Sequence, residues 1–182
     1  VTVYKFKGAK LRCAMILAII MIPGQVTGTG FFMFMYQLEW TNSYLPLIIP
    51  SIAAASTVFF FKQYLEANFQ ISLVEAARID GAGEFYTYNT IIMPIMVPAM
   101  ATMGIMAVIG SWNNYLLPNL MLAKNKAWTT LVVAVVQLQS SGGAGASQYN
   151  LMMAGTMMAM LPMIILFIFM NKAFVAGITA GA

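Results

Sequence analysis

The chain of 182 residues contains no histidine, one cysteine and only five acidic residues. Each scarcity excludes something. Without histidine the commonest general base and the commonest metal ligand are missing. A lone Cys13 can form no intrachain disulfide, and its place in an apolar run reads as a small buried hydrophobe. The five carboxylates, Glu39, Glu66, Glu75, Asp80 and Glu84, fall in loops and interfaces and form no catalytic set. The glycine- and serine-rich stretch 140–147 reads as a flexible loop and has no lysine, so it is not a phosphate-binding P-loop. Charged residues make up 8% of the chain, against roughly 25% in a soluble domain. Such a sequence cannot cover a water-facing surface. An enzyme with its own nucleotide, metal or cofactor site is a poor reading, and so is a nucleic-acid binder.

What is present is apolar: 61% of residues are hydrophobic and the mean hydropathy is +0.82. The expected fold is all-α and polytopic, a single membrane domain over 1–182 with four membrane helices and no internal repeat. A first block, 11–38, is interrupted by Pro23-Gly24 and by Gly28-Thr29-Gly30, so a helix kinks or ends there. Residues 31–38 are then expected near an outer interface, with Glu39 and the aromatic anchor Trp40. A second span, 43–61, is closed by Lys62, whose stem can snorkel; nineteen residues at 1.5 Å rise give roughly 28 Å, close to the hydrocarbon thickness. A third span, 91–112, contains Pro94 and Pro98, which are expected to bend it. Residues 113–148 form a long connection in which 128–138 is apolar enough for a short helix dipping into the membrane. A fourth span, 151–170, carries Gly155 and Ala159 at a spacing suited to helix packing. The seventeen methionines read as packing filler.

Charge placement orients these spans. With the first end inside and four crossings, Lys5, Lys7, Lys10, Arg12, Lys62, Arg78 and Lys172 are cytoplasmic, while Lys124 and Lys126 are outside. Seven cations against two agrees with the positive-inside rule.

A polar island, 72–98, separates the second and third spans. Ser72 with Glu75 three residues later has the pattern of a capping box, Glu75 and Arg78 form an i,i+3 pair, and Gly81 and Gly83 supply helix stops. Leu73, Ala76, Ala77 and Asp80 share one face of this short helix, and Glu75, Arg78 and Ile79 another. Small Ala76 and Ala77 would let a partner approach closely. A small, charged, capped helix between membrane spans is offered to something in water. On pattern alone an ordinary loop helix is an equal reading.

Glu75-Ala76-Ala77, Asp80-Gly81-Ala82 and, after a spacer, Ile92 and Pro94 resemble the EAA loop of ABC-transporter permeases. The version Glu-Ala-Ala-Arg-Ile-Asp-Gly-Ala is similar to that of the carbohydrate-uptake, maltose-type branch. Two further stretches, Gly110-Ser111-Trp112-Asn113-Asn114-Tyr115 and residues 174–182 (FVAGITAGA), resemble other signatures of that branch in the same order. The resemblance implies a type I importer permease core, and a chain shortened before Val1 and by a few residues after Ala182. It implies a multi-pass protein of the cell membrane, with the first end, the EAA loop and the last end cytoplasmic. The implied partners are a dimer of ABC ATPase subunits, a second permease subunit in a heterodimer, an extracellular or periplasmic sugar-binding protein and membrane lipid. ATP and magnesium would sit on the ATPase, with no cofactor on this chain. The implied ATPase-coupling residues are Ser72, Glu75, Ala76, Ala77, Arg78, Asp80, Gly81 and Ala82, with Glu75 paired to a basic residue of the ATPase and Gly81 making the turn that sets the helix angle.

For Trp112, Asn113, Asn114 and Tyr115 two readings stand side by side. Amides and aromatic faces suit sugar hydroxyls and ring faces, as in a translocation path. An interfacial aromatic belt with polar neighbours accounts for them equally well. In many members of the branch an aspartate stands where this chain has Asn114. The function implied is import of a sugar or oligosaccharide by alternating access. A permease for a peptide or amino acid, and a structural membrane subunit without a path, remain the alternatives.

Overall fold

A computed structural model describes residues 7–140 and 146–179, with the side chains of 140, 146–148 and 171–179 left aside. The 141–145 part of the expected flexible loop, Lys5, the Lys172 side chain and, of the 174–182 signature, all side chains and residues 180–182 therefore lie outside what is described. Among the described residues there is no strand. Three helices are long and apolar enough to cross a membrane: Leu45–Asn68, Glu84–Trp112 and Tyr149–Met170. The pair Ala9–Met21 and Gly24–Gln37 makes a fourth if it is one broken span.

Two compact units are present. One comprises, among the described residues, 7–21, 53–105 and 172–179. It contains α1 (Ala9–Met21), α4 (Ala55–Asn68), α5 (Ser72–Ile79), α6 (Glu84–Thr87) and the greater part of α7 (Met93–Trp112). Helix α1 packs against α4. Its buried residues come from α4 (Tyr64), α5 (Val74, Ala77), α6 (Thr87), the turn after it (Ile92) and α7 (Met96, Ala99, Thr102, Ile105). Helix α4 runs six residues beyond Lys62 instead of stopping with the apolar run. Lys62 finds Glu66 one turn on, with Nζ 2.6 Å from Oε2, so the helix continues through a paired charge.

The third span starts differently from the expectation of a simple bend. A π turn, Tyr88–Ile92, joins α6 to α7, with the Met93 amide donating to the Tyr88 carbonyl. Pro94 has no N–H for the carbonyl four residues before it. A widened turn in front of it re-registers the ladder. Further along, Thr102 Oγ1 donates to the Pro98 carbonyl at 2.9 Å.

The other unit comprises residues 22–52 and 106–171. It holds α2 (Gly24–Gln37), α3 (Leu45–Ile48), the end of α7, α8 (Leu116–Met121), α9 (Leu131–Ser140) and α10 (Ala146–Thr179) as far as residue 171. Pro23 breaks the first block, as expected, but Gly28 and Gly30 do not. Helix α2 runs through both, and Gly28 is buried against Leu120, 3.9 Å from where a Cβ would lie. The core of the unit is Met35, Met121 and Leu122, flanked by Phe31, Phe32, Trp40, Leu47 and Leu117. Asn42, in a left-handed conformation (φ 59°), ties the ends together. Its amide donates to the Met121 carbonyl at 2.7 Å, and its Oδ1 accepts from the Lys124 amide at 3.0 Å. Tyr44 stacks on Trp128 with centroids 5.0 Å apart and rings 3° from parallel. Helix α9 is the short helix expected within 128–138, while α8 was not legible because its six residues carry no helical period. The expected span 43–61 is not one regular helix: Pro50 opens a 3₁₀ turn, Pro50–Ala53, between α3 and α4.

Gly155 fulfils the packing role read from its spacing. A Cβ there would lie 2.8 Å from Val135 Cγ2 on α9. One turn on, the Ala159 carbonyl accepts a hydrogen bond from Trp112 Nε1 at 3.0 Å.

Candidate functional site

Helix α5 begins without the expected capping box. Ile71, not Ser72, holds the cap position, and no side chain caps the helix. Backbone carbonyls do that work instead. The Leu73 amide donates to Gln70, and the Val74 and Glu75 amides both donate to Ile71. A preceding backbone turn therefore satisfies the donors that the Ser72 hydroxyl would have taken.

The end of the helix is more elaborate than the sequence indicated. The Gly81 amide donates to the Arg78 carbonyl at 3.1 Å and the Ala82 amide to the Ala77 carbonyl at 2.9 Å. Gly81 has φ +77°. This pair of bonds around a left-handed glycine is a Schellman motif. It satisfies the orphan carbonyls and turns the chain sharply. Gly83, in extended conformation, leads into α6, where Thr87 Oγ1 donates to the Gly83 carbonyl at 3.1 Å.

The i,i+3 pair of Glu75 and Arg78 is not formed. Arg78 reaches forward across the turn: its Nη2 lies 2.8 Å and its Nε 2.9 Å from Glu84 Oε1. That geometry gives two charge-assisted contacts on one oxygen, which a Glu75 partner on the same helix does not match. Among the described residues, no hydrogen bond or ion pair engages the Glu75 carboxylate.

Burial divides the remaining residues. Val74 (1% exposed) and Ala77 (7%) form the inward face. Ala77 is the more buried of the two small residues: it sits one turn from Val74 and turns inward with it, while Ala76 is exposed. The face with Ser72, Glu75, Ala76 and Asp80 is exposed, and large apolar groups stand beside it, with Ile79 at 86% and Phe85 at 81% exposure. Ala76 and Ala77 both line a shallow depression with Leu73, Asp80, Gly81 and Ala82. Sequence reasoning missed Phe85 and Glu84, which follow the recognisable motif and look like ordinary span-entry residues.

Trp112, Asn113, Asn114 and Tyr115 do not converge on one cavity. Trp112 lines a depression with Ser51, Ser111 and Thr130. Asn113 lines another between α9 and α10, and Asn114 a third beside α2 and α8. Their polar groups are engaged at helix ends. Asn113 Nδ2 donates to the Ile109 carbonyl at 3.0 Å, and Asn114 Oδ1 accepts from the Leu117 amide at 3.4 Å. Among the described residues, no group of histidine, cysteine and carboxylate side chains could hold a metal ion.

Residues 2–180 match the family described as the binding-protein-dependent transport system inner membrane component. The chain is 37% identical over 179 residues to the arabinooligosaccharides transport system permease protein AraQ of Halalkalibacterium halodurans, covering 98% of this chain and 62% of that protein. It is 33% identical to the melibiose/raffinose/stachyose import permease protein MelC of Bacillus subtilis, over 93% of this chain and 60% of that one. It is 30% identical to the sn-glycerol-3-phosphate transport system permease protein UgpE of Salmonella typhi, over 96% and 61%. The chain thus spans about three fifths of the length of these relatives. The fold matches a chain of a bacterial ABC transporter involved in the import of the acidic polysaccharide alginate, with a TM-score of 0.79 at 20% identity, over 93% of this chain and 63% of that one. A polytopic all-α chain carrying a short helix with an exposed face between two spans, matched by this family along almost its whole length, belongs to the inner-membrane components of binding-protein-dependent transport systems.

Proposed function

We propose that the chain is the permease subunit of an ATP-driven, binding-protein-dependent importer that moves a sugar or oligosaccharide by alternating access. The observation that carries this reading is the similarity to an arabinooligosaccharide permease over 98% of the chain. Melibiose-type and lactose permeases among the other relatives support the same substrate class. The sn-glycerol-3-phosphate relatives make a phosphorylated polyol the second substrate reading.

In this proposal the whole of 1–182 is one permease domain, and α5 is the cytoplasmic coupling helix. Two ATPase subunits, a second permease subunit and a solute-binding protein on the outer face complete the transporter. ATP is hydrolysed on the ATPase subunits, with no chemistry on this chain. Glu75, with no partner of its own among the described residues, offers its carboxylate to a cation of the ATPase. Ala76 lets that surface approach, while Leu73, Ile79 and Phe85 supply apolar contact area. ATP-driven closure moves α5, and the movement passes through the turn at Gly81 into α6 and the third span. Such a rigid-body transmission switches the cavity between outward and inward access. The coupling is reciprocal, so a liganded binding protein outside favours ATPase closure inside. Trp112, Asn113, Asn114 and Tyr115, at the end of the third span, remain the candidates for lining the path.

Uptake tests the reading. Deleting the intact gene should abolish entry of one oligosaccharide or sugar derivative and leave peptide and amino-acid uptake unchanged. Loss of peptide or amino-acid uptake instead contradicts the substrate class. No loss for any solute contradicts the transport role and favours a structural subunit.

A further inference from the structure

We propose that Arg78 and Glu84 form an internal strap that fixes the direction of helix α5 relative to the entry of the third span, so that Arg78 is a positioning residue and not a contact to the ATPase; this rests on the importer reading above. Between the last turn of α5 and the first residue of α6 lie only Asp80, Gly81, Ala82 and Gly83. Two of the four are glycines, the residue with the greatest backbone freedom. A lever that passes force through two glycines would lose it in torsion. The strap spans this joint: Arg78 stands on the last turn of α5, Glu84 is the first residue of α6, and two donor nitrogens converge on one carboxylate oxygen at 2.8 and 2.9 Å. On the inward side the same two helices are in contact, and Val74, Ala77 and Thr87 are buried there. The joint is therefore tied on its open side by charge and on its inner side by contact. Beyond Thr87 the chain stays helical through the π turn into α7, so a rotation of α5 is delivered to the span.

The strap is half exposed, with side chains at 47% and 53% accessibility. A pair of that kind contributes little to folding. Its removal leaves an inserted, folded protein with a misdirected helix. That separates it from a packing role, and also from Glu75, whose loss removes a contact to the partner.

The test has two arms on the full-length permease. In the first, hydrogen exchange of residues 72–87 is compared in detergent-purified wild type and Glu84→Gln, which keeps the size and removes the charge. Faster exchange confined to this segment is expected, and unchanged exchange overturns the strap. In the second, Arg78→Glu, Glu84→Arg and the double reversal are assayed for sugar uptake and for co-purification of the ATPase. Each single reversal should retain the ATPase and lower uptake at least about fivefold, the lower end of typical coupling between sites. The double reversal should recover most of the loss, and Arg78→Lys should lose less than Arg78→Glu. Single reversals that release the ATPase, or a double reversal no better than the worse single, overturn the proposal in favour of a direct contact. A wild-type protein that carries no sugar refutes the importer reading instead, and the exchange arm then decides the strap by itself.

Discussion

Gly81 gives the sharpest test of how the site is built. Its φ of +77° lies in the left-handed region, and a Cβ built there would meet nothing within 4 Å. A Cβ therefore clashes with no neighbour, and the main effect of adding one is the backbone cost. For an L-residue that cost is roughly 1–2 kcal/mol. A local difference of that size is about a 5- to 30-fold change in the population of the motif. Gly81→Val should lower sugar uptake in about that range while retaining the ATPase and leaving membrane abundance near wild type. Gly81→Asn should keep most of the uptake, because asparagine visits the left-handed region at lower cost. Gly81→Asp should fall between them, with its added negative charge beside Asp80. Assays on the full-length permease, with uptake and co-purification measured on the same preparations, separate these outcomes. If Gly81→Val is indistinguishable from wild type, the Schellman turn does not set the coupling geometry.

Other consequences follow from named contacts. Glu75→Ala should insert and fold normally yet lose the ATPase on purification and abolish uptake. Truncating one side of a partly buried charge pair costs about 2–5 kcal/mol, and a Glu75→Lys variant should be partly rescued by reversing the ATPase cation; normal uptake by Glu75→Ala refutes the role. In a Cys13→Ala background, a cysteine at Ala82 should react with an impermeant reagent only from the cytoplasmic side and one at Ala127 only from outside, and the reverse pattern contradicts the proposed orientation. Gly155→Ala should push Val135 out of its rotamer and destabilise the α9–α10 contact by about 1–3 kcal/mol, read as a lower melting temperature in detergent, and Val135→Ala should restore part of it.

The spans were legible because each rests on a long apolar run with a charge or proline at its edge. Pro23 marked a true break, but Gly28 and Gly30 did not. An interior glycine costs a helix only about 1 kcal/mol, which the surrounding apolar residues of α2 outweigh at both positions. The π turn before Pro94 was invisible because a widened turn leaves no signature in hydropathy. At the candidate site, the motif placed the helix correctly and the left-handed Gly81 followed from residue type. The internal pairings did not follow. Arg78 has Glu75 three residues back and Glu84 six residues ahead, and a one-dimensional rule prefers the nearer one. Only the turn at Gly81, which brings α6 alongside, makes Glu84 the better partner. The capping box failed for a similar reason: residues 70–71 were already turning, so backbone carbonyls reached the first amides before Ser72 could.

The central claim is that α5 is a docking helix for an ATPase. Ile79, 86% exposed on that helix, is the place to test it, by replacing it with a photo-crosslinking amino acid in the full-length permease and irradiating in native membranes. The account predicts a cross-link to a nucleotide-binding ATPase subunit, lost when Glu75 is also changed to alanine. Cross-links to lipid alone, or to a solute-binding protein on the outer face, would contradict it.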